Sequence, residues 1–112
     1  MLFQLNELED RGVYELSLGE YDCVHWKETS VYIQWEDFWV LSPYIDTVIP
    51  NFNYYGPNVI SFIQWKRIKE KILAVPELEK VKNANLIKLY NEIDGWVQEC
   101  SKTYSCFSIL GP

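Results

Sequence analysis

Cys23 and His25, separated by one residue in Tyr21-Asp22-Cys23-Val24-His25, form the pair with the most chemical potential in this chain. On a strand they would share a face and offer a thiolate and an imidazole to a metal, or a nucleophile and its base. A metal site needs further ligands, and the chain holds one histidine and no second Cys/His cluster. The plainer reading is a polar strand residue beside a buried thiol. Paired carboxylates at Glu9-Asp10 and Glu36-Asp37 raise general acid/base chemistry. Neighbouring residues on a helix do not face each other, however, and acid/base work needs carboxylates converging on one cleft with split pKa values. Glu36 and Asp37 also suit the first turn of a helix, where acids complement the macrodipole. Lys66, Arg67, Lys69 and Lys71 are interrupted by Glu70 and read as a solvated helix face. The glycines stand singly, so no phosphate-cradling loop is present. No catalytic, metal or cofactor site is assigned, and the chain is read as a non-enzyme.

Charge distribution says more. The first fifty residues carry ten acids (Glu7, Glu9, Asp10, Glu15, Glu20, Asp22, Glu28, Glu36, Asp37 and Asp46) against Arg11 and Lys27. The rest carries six acids against eight bases, so the net charge of −6 divides into −8 and +2. An acidic half that also holds Trp26, Trp35 and Trp39 attracts a basic protein and repels nucleic acid, whose phosphates need a basic surface. Glu7, Glu15 and Glu28 read as acids that merely solvate strands and turns. The remaining candidates for a partner-binding surface are Glu36, Asp37, Trp39, Tyr44, Asp46, Asn53, Tyr54 and Tyr55: tyrosine and tryptophan give large contact area at low entropic cost, and carboxylates pair with a partner's Arg or Lys.

The elements that must position these residues follow from periodicity. Leu2 to Leu8 reads as a weak strand ended by a turn at Glu9-Asp10-Arg11-Gly12. Val13 to Leu18, Tyr21 to Trp26 and Ser30 to Trp35 then read as further antiparallel strands. From Glu36 the period changes. Phe38, Leu41, Ile45, Val48 and Ile49 recur at helical spacing, kinked or split at Pro43, which leaves Glu36, Trp39 and Asp46 off the apolar face. Residues 50 to 58 read as a loop by their Pro, Gly and Asn content. Helices follow at about Val59 to Leu73 and Ala84 to Lys102, the second with Gly95 in its interior, a residue that implies a close approach by a neighbour or a packing offset. The tail from Thr103 to Pro112 either adds a strand or covers the core. The expected fold is α+β: an N-terminal antiparallel sheet of three to four strands packed by three C-terminal helices.

A chain of 112 residues with 48% hydrophobic and 23% charged side chains makes one globular domain. Its 16% aromatic content exceeds what a core this size readily encloses, which places some rings at the surface. Three cysteines, Cys23, Cys100 and Cys106, fall in no zinc-like spacing, and their odd number points to a reducing cytoplasm, with a local Cys100–Cys106 bridge left open. No apolar run reaches membrane-spanning length and Met1 to Asp10 has no cationic signal-peptide start, so no membrane association is expected. A monomer is favoured.

In size, charge and layout, with exposed aromatics and no catalytic set, the chain resembles the small acidic immunity proteins that bacteria make against their own nuclease-type toxins. These include the contact-dependent growth inhibition and barstar-like inhibitors. Val31-Tyr32-Ile33-Gln34-Trp35-Glu36-Asp37-Phe38, Ile49-Pro50-Asn51-Phe52-Asn53-Tyr54-Tyr55-Gly56 and Gln64-Trp65 are similar in flavour to such families. The resemblance implies inhibition by occlusion, with carboxylates placed where a basic toxin expects nucleic-acid phosphates. The alternative is a non-enzymatic interaction module or homo-oligomer whose exposed aromatics form its own interface.

Overall fold

The computed structural model describes residues 2–9 and 12–112. Asp10 and Arg11, at the centre of the expected first turn, lie outside the described residues, as does the Asp10 half of the Glu9-Asp10 pair. The fold is α+β, with a four-stranded antiparallel sheet in the order β2-β1-β4-β3 and helices packed on one of its faces. The strands are β1 (Val13–Leu18), β2 (Val31–Gln34), β3 (Pro57–Ser61) and β4 (Cys106–Leu110). The helices are α1 (Trp35–Phe38), α2 (Ser42–Val48), α3 (Phe62–Leu73), α4 (Glu77–Lys82) and α5 (Ala84–Ser101).

Alternation along β1 decides the two faces. Tyr14 and Leu16 point to the helices, where they join Val31, Ile33, Ile60, Phe107 and Ile109 from the other strands and Leu41, Ile45, Ile68, Leu89 and Ile93 from the helical layer. Val13, Glu15 and Ser17 point the other way and are also buried. The C-terminal tail supplies a central strand: β4 lies between β1 and β3, and all five of its residues are buried because both of its faces are covered. Gly111 then passes so close to the Tyr54 carbonyl that a Cβ there would collide with backbone, which fixes the end of β4 against the 50–56 loop.

Only β1 and β2 come from the first thirty-five residues; β3 and β4 arise later in the chain. Three local expectations are corrected. Leu2 to Leu8 holds a single 3-10 turn at Leu5–Glu7 and one bridge, Phe3 to Tyr32, which caps the β2 edge. Tyr21 to Trp26 is a loop, not a strand, with Cys23 and Trp26 at positive φ of 67° and 61°. Pro57 and Asn58 belong to β3 rather than to the preceding loop, and α3 begins at Phe62 rather than near Val59. That boundary is set by a reciprocal capping box: the Gln64 N–H donates to Ser61 Oγ at 3.1 Å, and the Ser61 N–H donates to Gln64 Oε1 at 2.9 Å. The same bond occupies the Ser61 donor on the β3 edge, and Pro57 has none to offer, so this edge is blunted against strand addition.

The segment after β2 divides into three turns, α1, a 3-10 turn at Trp39–Leu41, and α2 with Pro43 in its first turn. Phe38, Leu41 and Ile45 face the core throughout, so helical phase survives the proline. Trp35 starts this segment instead of closing β2; its N–H donates to the Gly12 carbonyl at 3.1 Å. Gly95 is not a close-packing glycine: a Cβ built there meets nothing within 4 Å.

Candidate binding surface

Trp39, Tyr54 and Asp46 come together from three separate stretches of sequence. The 3-10 turn carries Trp39 outward, α2 carries Asp46, and the 50–56 loop folds Tyr54 over both. The Trp39 and Tyr54 rings stack with centroids 5.0 Å apart and planes 7° from parallel. Tyr54 Oη donates to Asp46 Oδ1 at 2.6 Å. Behind them, Phe52 meets Tyr54 edge-on at 4.7 Å, and Phe38 lies 6.4 Å from it. Phe38 in turn stacks on Tyr14 at 4.0 Å, so the surface pair rests on a chain of rings anchored in β1. Burial raises the Tyr54 hydroxyl above its ordinary range, and the Asp46 hydrogen bond and charge push it further the same way. Tyr14 is likewise raised by burial and by Tyr55 nearby.

The other expected residues fall around this platform. Trp39 is 45% exposed and Tyr55 is 86% exposed. Tyr55 is the largest uncovered aromatic surface among the described residues. Glu36 and Asp37 occupy the first turn of α1, and neither carboxylate makes an ion pair or hydrogen bond among the described residues. Asn53 is exposed and braces the loop: its Oδ1 accepts the Tyr55 N–H at 3.0 Å, while its own N–H donates to Asn58 Oδ1 at 2.8 Å. Tyr44 leans against the core and is half-buried. Asn58, unremarked in the sequence, ties the loop to β4 through Nδ2 donations to the carbonyls of Asn53 at 2.7 Å and Ile109 at 3.2 Å.

No family model matches this chain, and no curated protein or solved structure matches it either.

The chemical candidates elsewhere dissolve into structure. Cys23 is exposed, and His25 Nε2 bonds Tyr21 Oη at 2.9 Å rather than the thiol. Without a strand at 21 to 26 the shared face does not exist. Cys100 and Cys106 are buried free thiols; burial pushes Cys100 up, and its Sγ lies 3.6 Å from the Cys106 carbonyl. Among the described residues no group of three or more His, Cys, Asp or Glu is placed to hold a metal ion. No helix there is long and apolar enough to cross a membrane. Lys69, in the basic run of α3, pairs with Asp94 at 3.1 Å. Burial raises Asp94, but donors from Trp65 Nε1, Gln98 and Lys69 outweigh it and hold the carboxyl below its ordinary value.

Glu15 departs furthest from expectation. It does not solvate a strand: it is 3% exposed, on the face of β1 opposite the helices. Its carboxylate accepts the Trp26 N–H at 2.9 Å, the Lys27 N–H at 3.3 Å and Ser30 Oγ–H at 2.7 Å. Tyr32, paired with Glu15 in the register, donates its hydroxyl to the Lys27 carbonyl at 2.7 Å, and Trp26 stacks over its ring at 5.8 Å. One buried acid thus ties the 20–30 loop down over the outer face of the sheet. The acid-to-loop spacing of eleven to fifteen residues has no periodic signature, so composition alone could not reveal it.

Proposed function

We propose that the protein is a protein-binding inhibitor, an immunity protein that neutralises a cognate basic toxin of the bacterial nuclease type by covering its active or substrate-binding site in the cytoplasm. The observation that carries this reading is the Trp39–Tyr54 stack locked by Asp46, with Tyr55, Glu36 and Asp37 around it. Rings already stacked and hydrogen-bonded lose little freedom on binding, and neighbouring carboxylates that pair with none of the described residues are available to a partner's Arg or Lys. An acidic surface imitates the phosphates that a nuclease binds, so it blocks the site by competition rather than by chemistry.

The test is co-expression with the product of the adjacent reading frame in the source genome. The proposal expects that product to arrest growth alone, the wild-type chain to restore it, and Trp39→Ala/Tyr55→Ala to fail while remaining folded. A harmless neighbour, or full protection by the double variant, would overturn it.

Self-association is the second reading, favoured by exposed apolar side chains beyond the platform: Leu78 and Val81 of α4 are 65% and 75% exposed. Sedimentation at micromolar concentration tests it: a dimer that Leu78→Glu/Val81→Glu returns to monomer supports self-association, and a wild-type monomer excludes it.

A further inference from the structure

At the end of the sheet away from Tyr54, where β1 reaches Leu18 and β4 begins, a groove of about 370 Å³ opens between Gln4, Glu28 and the C-terminal turns of α5. Its lining includes the aromatic residues Trp96 and Tyr104, the apolar Leu18 and two acids, Glu28 and Glu99. Each part is held in place. Trp96 meets Phe107 edge-on at 5.9 Å. The Tyr104 ring lies over Gly19, whose φ is 71° and where a Cβ would come within 2.9 Å of the ring. Glu28 sits between Lys27 and Ser30, both bonded to the buried Glu15 carboxylate. Among the described residues it makes no hydrogen bond or ion pair, and none of those that line the groove is cationic. Glu99 pairs with Lys102 at 2.9 Å with both side chains exposed, an interaction that solvent and a competing cation displace readily.

We infer that this groove receives an arginine side chain of a basic protein partner. Aromatic rings accept the flat face of a guanidinium and carboxylates take its N–H donors, a combination of planar cation and several donors that no neutral or anionic side chain offers. A compact ammonium uses the charge but not the stacking. The inference is independent of the platform at Trp39, and its test needs no toxin.

The probe is N-acetyl-arginine methylamide, titrated into the whole protein while the Trp96 indole N–H is followed by NMR, with the citrulline analogue as neutral isostere. The arginine probe is expected to shift Trp96 saturably, and the citrulline probe to leave it unmoved. Glu28→Gln/Glu99→Gln should weaken binding about fivefold, two surface ion pairs' worth. Glu70→Gln, an exposed acid of α3 that does not line the groove, should change nothing. Equal shifts from both probes, or unchanged binding by the double variant, would overturn the assignment.

Discussion

Replacing Glu15 with alanine tests whether one buried acid organises the loop over the outer sheet face. The substitution strips the acceptor from the Trp26 and Lys27 amides and the Ser30 hydroxyl. Each donor left without a partner costs about 1–3 kcal/mol where it stays buried. Ser30 is buried, while Trp26 and Lys27 are half-buried, and a loosened loop gives their amides back to water. Losing the carboxylate also relieves its own desolvation. Weighing these, the expected loss is about 2–4 kcal/mol, read from urea denaturation of the variant beside the wild type. Amide exchange at Trp26 and Lys27 should accelerate more than exchange in β4. Glu15→Gln keeps one acceptor and should fall between the two. A surface glutamate would cost no more than about 0.5 kcal/mol. If Glu15→Ala lies within that margin and leaves loop exchange unchanged, the clamp is wrong.

Other consequences are smaller and separate. Gly95→Ala places a methyl in open space in the interior of α5, so it should stabilise the fold by about 0.5–1 kcal/mol, measured by the same denaturation. Asp94 has its folded pKa below the unfolded value, so its contribution is present above about pH 4 and is lost as pH falls through the folded pKa. Asp94→Asn should therefore flatten the acid limb of Tm against pH. Tyr54 has the opposite displacement: its folded pKa is raised, so stability is complete below the ordinary tyrosine value near 10 and declines as pH rises beyond it. Tyr54→Phe should reduce that alkaline slope without abolishing it, because Tyr14 and Tyr32 are raised too.

Helical period was the most legible signal. Phe38, Leu41 and Ile45 announced their buried face across Pro43, and α5, expected from Ala84 to Lys102, buries Leu86, Leu89, Ile93 and Val97 at the same three- and four-residue spacing. Sheet membership was harder to read. β4 is buried on both faces, so it shows no alternation, and its neighbours β1 and β3 lie far away in sequence. The boundary at Ser61 was written as Ser-x-x-Gln, a capping signature that the apolar run from Val59 obscured. At the candidate surface, exposure of Trp39, Asp46 and Tyr55 followed from helical phase and loop composition. The Trp39–Tyr54 stack did not, because it depends on how the 50–56 loop folds back. Glu15 was misread for the reason that buried polar groups usually are: a carboxylate looks solvated until its donors are located.

In the proposed function, the Trp39 end of the molecule steers and holds a basic protein. This is tested most directly by stopped-flow association with the toxin recovered from co-expression, comparing the wild type with Glu36→Lys/Asp37→Lys/Asp46→Lys across ionic strength. Reversing three carboxylates should slow association about tenfold or more at low salt, with the two rates converging as salt screens the field. An unchanged on-rate with the same salt dependence would place the binding face elsewhere.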